Sequence, residues 1–140
     1  MASMMASTIA VTDTHSLLWY ADPRAHKKLG RDALAHFQRV DRREAAVYVP
    51  ALVLAEVGEL AHLGRIDLGV PFTEWMDGVF SNACILSQPL THEIVRTAHN
   101  LFAIPERGDR LIAATAVALD VPLITRDPEI AACANVALLW

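Results

Sequence analysis

The sequence predicts an α/β protein, a three-layer α/β/α sandwich built on a parallel sheet of about five strands. Short β-branched runs alternate with longer segments of helical apolar period. Strands separated by helices need crossover connections, and these generate parallel pairing with helices on both faces. The composition agrees: 54% hydrophobic and 20% charged residues exclude a disordered chain and leave apolar surface for a partner. A chain of 140 residues buries roughly two thirds of its unfolded surface in one core. Residues 1–140 are therefore read as a single domain, with 1–7 as a disordered N-terminal extension.

Residues 8–12 read as the first strand and 16–20 as a short helix. Asp22 and Pro23 form a turn, and 26–42 is predicted as a basic amphipathic arm with Leu29, Ala33, Leu34 and Phe37 on one side. Residues 46–49 form the second strand, ended by Pro50, and 51–63 a helix that closes at Gly64. A helix over 72–80, a strand over 84–87 and a helix over 91–102 capped by Thr91 follow. Gly108 and Asp109 open an Ala-rich helix to Leu119; 123–125 is a strand, Pro128 starts a helical turn, and 136–139 is the last strand.

A net charge of −4 argues against broad electrostatic adhesion to nucleic acid, because such affinity comes from basic side chains displacing counterions. The ten arginines and two lysines favour bidentate phosphate contact. The basic arm, with Arg24, Lys27, Lys28, Arg31, Arg39, Arg42 and Arg43, is the one concentration of positive charge; it either steers nucleic acid or is a solvated helix face. The apolar stretches are too short to span a bilayer, which predicts no membrane segment. The first seven residues lack the basic and apolar regions of a secretory signal. Cys84 and Cys133 show no metal-ligand or disulfide spacing, so both are read as buried thiols in a reducing cytoplasm.

In open parallel sheets the active site lies at the carboxyl ends of the strands. Asp13 ends the first strand and Asp127 the fourth. Each of these, and Asp109, has a plainer reading as a helix N-cap. Glu56 falls between Leu52, Val53, Leu60 and Leu63 on the apolar face of its helix, where a carboxylate needs a partner; the alternative is a buried ion pair or a protonated acid. Three or four carboxylates on one rim repel one another unless a cation intervenes. Hard oxygen donors point to Mg²⁺ or Mn²⁺, and the chemistry is phosphodiester hydrolysis by metal-activated water.

Taken together, Asp13-Thr14-His15-Ser16-Leu17-Leu18-Trp19, the inward Glu56, Gly108-Asp109-Arg110-Leu111-Ile112-Ala113-Ala114 and Thr125-Arg126-Asp127 resemble the PIN-domain ribonucleases. The nearest resemblance is to the toxins of bacterial VapBC-type toxin–antitoxin pairs, from about Ile9 to Trp140. It implies a five-stranded parallel sheet and a metal site of Asp13, Glu56, Asp109 and Asp127. It also implies Mg²⁺ or Mn²⁺, single-stranded or looped RNA as substrate, 5′-phosphate and 3′-hydroxyl products, homodimers and a small antitoxin partner. The chain departs from the pattern before the third acid, where Pro105-Glu106-Arg107-Gly108 stands in place of Asp-Pro-Phe.

Thr14 and Thr125 are expected in support, ordering water or capping helices. Arg110 and Arg126 either grip RNA phosphate or neutralise the acids. His15 is left out of the catalytic set. A receiver or haloacid-dehalogenase-like domain also uses strand-end aspartates, but needs a late lysine, and both lysines here lie early. The remaining alternative is a catalytically silent PIN-like module that binds RNA or a protein.

Overall fold

A computed structural model describes residues 8–133 and 135–140; the expected disordered extension, 1–7, lies outside them. Five parallel strands, β1 (Ile9–Thr12), β2 (Ala46–Pro50), β3 (Ile85–Gln88), β4 (Leu123–Ile124) and β5 (Leu138–Leu139), form one sheet in the order β3-β2-β1-β4-β5. Val11 sits in register between Tyr48 and Leu123. Ala10, Val11, Val47, Val49, Leu123 and Ile124 are fully buried, as befits strands covered on both faces. The helices are α1 (Thr14–Ala21), α2 (Arg31–Asp41), α3 (Ala51–His62), α4 (Phe72–Val79), α5 (His92–Ala98), α6 (Arg107–Leu119) and α7 (Pro128–Ala131), with a 3₁₀ helix at Pro23–Lys28. This is the α/β sandwich that the alternating pattern predicts.

The order places a topological switch point beside the central strand. From β1 the chain moves outward through β2 to β3, then crosses back to lay β4 on the other flank of β1. The crevice at such a point, at the carboxyl ends of the strands, is where ligands bind in open α/β sheets.

Several local expectations need correction. The arm over 26–42 is not one helix: the 3₁₀ turn stops at Lys28, Leu29 is extended, and Gly30 caps α2. A Cβ at Gly30 would stand 2.6 Å from the Trp140 carbonyl carbon and ring, so the break admits the tryptophan. Nor does α2 stand clear as an arm, because Ala33, Phe37 and Val40 are buried in the core. The helix from Thr91 ends at Ala98, with turns beyond it and Phe102 exposed. The two cysteines are free but half-buried. Finally, α6 begins at Arg107 and takes Glu106 as its cap, so Asp109 stands inside the first turn.

Candidate active site

Each of the four expected acids is delivered by the element that follows a strand or reaches the same rim. Asp13 leaves β1, and its amide donates to the Ile124 carbonyl at 3.1 Å, which ties it to the end of β4. Its Oδ1 accepts from the Ser16 amide at 2.9 Å and caps α1. Asp127 follows β4; its amide donates to Thr125 Oγ1 at 3.1 Å, and its Oδ1 accepts from the Glu129 amide at 2.9 Å. Both caps are real, yet each occupies one carboxylate oxygen and leaves the other for a second role.

Glu56 projects from the second turn of α3, beside buried Val53 and Val57, and is itself half-buried. Thr14, 5% exposed, donates its hydroxyl to Glu56 Oε1 at 3.3 Å. Glu59, one turn on, is exposed. A Cβ at Gly108 would meet Glu106 Oε2 at 3.0 Å and Glu56 Oε1 at 3.3 Å, so a glycine here lets Glu56 approach the start of α6. Asp109 donates its amide to Glu106 Oε2 at 2.6 Å. Asp13, Glu56, Asp109 and Asp127 line one cleft of about 430 Å³ together with Thr14, His15, Trp19, Arg126 and Pro128.

Among the described residues no arginine forms an ion pair with these four acids. The ion pairs between described residues join arginines to acids elsewhere: Arg24 to Asp22, Arg31 to Asp32, Arg42 to Glu44 and Arg96 to Glu93. Arg110 donates to the Ile104 and Pro105 carbonyls at 2.9 and 3.2 Å and lies over the Phe102 ring. Arg126 lies 4.6 Å from the Trp19 ring centroid, on the cleft wall. Burial pushes the Asp109 carboxyl up to about 7, reinforced by the charges of Glu106 and Asp127, a hydrogen bond to Asp127, and Glu56. Burial also raises Glu56, opposed by the Thr14 hydroxyl and assisted by Glu106, Asp13 and Glu59. A partly buried carboxyl raised this far beside three other acids makes the cleft a candidate functional site.

Among the described residues no three His, Cys, Asp or Glu donors converge closely enough to enclose an ion by themselves. The donor set is all carboxylate and open to solvent, as suits a hard cation that keeps several waters and takes one or two carboxylates directly.

Two contributors were not singled out from sequence. Glu106, a fifth acid, holds the first turn of α6 and raises both Glu56 and Asp109; the signal was its place three residues before Asp109, at capping distance. Trp19 forms the cleft wall, one helical turn from His15, with ring centroids 5.8 Å apart; that spacing puts the two on one helix face.

The family model of the PIN domain matches residues 10–136. Among solved structures the chain is similar to VapBC2 from Rickettsia felis bound to a DNA fragment from their promoter, with TM-score 0.69 and 14% identity over 93% of this chain and 96% of that one. It is similar to a toxin–antitoxin complex from Klebsiella pneumoniae, with TM-score 0.60 and 17% identity over 94% and 98%. FitAcB from Neisseria gonorrhoeae follows, with TM-score 0.57 and 19% identity over 94% and 96%. At these identities the likeness is one of fold. No curated protein matches the sequence. The family match spans almost the whole chain, from the central strand to the residues before β5, and the chain belongs to the PIN domain family.

Proposed function

We propose that this chain is a metal-dependent endoribonuclease that serves as the toxin of a toxin–antitoxin pair and cuts single-stranded or looped RNA. PIN domains are generally nucleases, which supports the reaction class. The observation that carries the reading is that four carboxylates line one cleft at the switch point, while the arginine ion pairs between described residues go to other acids. A divalent cation is the counter-charge this arrangement calls for. Asp13, Glu56, Asp109 and Asp127 would hold Mg²⁺ or Mn²⁺; such an ion supplies an activated water and offsets the charge that develops on the phosphoryl oxygens.

The chain's own residues do the positioning. Thr14 orients Glu56 through its hydroxyl, and Thr125 fixes the backbone of Asp127. Arg126 stands at the cleft and is assigned the phosphate contact. Arg110, also expected on phosphate, does not line the cleft and is engaged by loop carbonyls, so its contact would fall on RNA outside the cleft.

An antitoxin partner is supported by the similar structures, two of which are described as VapBC2 and as a toxin–antitoxin complex. Exposed Leu63, Val70, Leu86, Leu90, Val95 and Phe102 supply apolar surface suited to such a partner and to a homodimer. Among the described residues no helix is long and apolar enough to cross a membrane; the cytoplasm is part of this proposal as its place of action. The alternative, a silent module that binds RNA or a protein, draws on the open spacing of the acids.

The test is endonuclease activity of the purified protein, freed of any partner, on a mixed RNA pool with Mg²⁺ or Mn²⁺, beside EDTA and Asp109→Asn. Cutting lost in both controls supports the nuclease. A chain that binds neither metal nor cuts any RNA is the silent module.

A further inference from the structure

The cleft carries an aromatic wall that metal-site chemistry does not use. Trp19 projects from α1 into it, His15 lies one turn back on the same helix with its ring tilted 45° at 5.8 Å, and Arg126 rests over the Trp19 face at 4.6 Å. Behind them Trp140 meets Trp19 edge to face at 6.2 Å and fills the space that Gly30 leaves open. Trp19 is thus buttressed from behind, while His15 and Arg126 are exposed. All three reach the cleft that holds the four acids.

A polyanion gains little from charge here. Four carboxylates line the cleft against one arginine, so counterion release contributes weakly. Affinity must then come from contacts that ignore charge, and stacking of an unpaired base on aromatic and guanidinium planes is the strongest of these. A guanidinium layered on an indole presents its face to a base and its N–H edge to a phosphate, so Arg126 can serve both contacts.

We infer that His15, Trp19 and Arg126 form a nucleobase-stacking subsite that seats one unpaired base of the RNA next to the phosphate being cut. The inference rests on the nuclease reading and names how that site selects its substrate. Because a paired base keeps its faces stacked within the duplex, the subsite makes single-strandedness a condition of binding rather than of chemistry alone.

The experiment measures binding of a fluorescein-labelled single-stranded RNA of about ten nucleotides, with EDTA to prevent cutting, and with the same RNA annealed to its complement. Variants are His15→Ala, Arg126→Gln, Trp19→Phe and Trp19→Leu, each checked by circular dichroism and thermal melting. Trp19→Leu is expected to weaken single-strand binding about tenfold or more, with Trp19→Phe retaining most of it. The exposed positions keep the test valid if Trp19→Leu misfolds: His15→Ala and Arg126→Gln are each expected to lose several-fold. Walking one abasic nucleotide along the RNA should weaken binding at a single position in the wild type and at none in Trp19→Leu. Folded variants that bind single strands as the wild type does, or equal binding of duplex and single strand, overturn the subsite and leave the nuclease reading of the wild type standing. A wild type that binds no RNA and cuts none overturns the nuclease reading as well.

Discussion

Replacing Asp109 by Asn is expected to stabilise the metal-free protein, by an amount that grows as pH rises from about 4 and is complete above about 7. The folded chain holds the Asp109 proton up to about pH 7, against an ordinary value of 3.8, because of burial and the charges of Glu106, Asp127 and Glu56. The folded state therefore binds a proton that the unfolded state has released throughout that window. Stability falls as pH rises through it, and the full penalty is present above about 7. A fully buried carboxyl raised this far would be destabilised by about 4 kcal/mol when ionised, but Asp109 is only partly buried and solvent screens much of this. An effect on the order of 1–2 kcal/mol remains, which for a chain of this size moves the melting temperature by about 3–8 °C. Asparagine has the shape of the protonated acid and can still donate to Asp127. In EDTA the variant should melt with the wild type at pH 4 and above it at pH 8, and Mg²⁺ should raise the wild type more than the variant. A variant that melts at or below the wild type at pH 8 would refute the mutual repulsion of the four acids, because it would mean that the Asp109 charge is already satisfied.

Two further perturbations probe the supports of the cleft. Thr14→Val keeps the shape and removes the hydroxyl that donates to Glu56 at 3.3 Å; it should cost about 0.5–1.5 kcal/mol in urea unfolding. Since that bond lowers the Glu56 carboxyl, the acidic limb of the cleavage pH profile should also move upward. Gly30→Ala places a methyl 2.6 Å from Trp140 at a position whose φ of −64° strains no residue, so the effect is steric alone. A loss of about 1–3 kcal/mol is expected, read as a lower urea midpoint, with altered tryptophan fluorescence as Trp140 shifts against Trp19.

Much of this was legible from local pattern. The buried strands announce themselves as β-branched runs because both faces are covered, and Asp13 and Asp127 follow from the rule that strand ends carry sites. Glu56 was legible because an acid among Leu52, Val53, Leu60 and Leu63 on an apolar helix face has no ordinary reason to be there. What was hidden depended on distant contacts. The break at Gly30 answers to Trp140 at the far end of the sequence, which no helical period anticipates. The local pattern opens α6 at Gly108 and Asp109, whereas two amide bonds to Glu106 set its start at Arg107. Whether Arg110 and Arg126 pair with the acids was open for a related reason: a side chain that long can swing toward several partners, and here both turn to aromatic rings.

The switch-point topology also sets when the cleft comes into being. Asp13 follows the first strand and Asp127 the fourth, and the two ends are joined by the amide of Asp13 on the carbonyl of Ile124. That link closes a loop containing most of the sequence, and pairings of such high separation form late because their chain entropy is lost before they are rewarded. A growing polypeptide that has released only α1 to α5 already has its core strands β1, β2 and β3 but lacks Asp109 and Asp127. On the proposed nuclease reading such a chain cannot cut, however well those strands pair. Docking of β4 on β1 then brings Asp127 to the rim that carries Asp13, with β5 still to join the outer edge, so slowed amide exchange at Val11 and Asp13, which donate to the Pro122 and Ile124 carbonyls, should report the assembly of the candidate cleft.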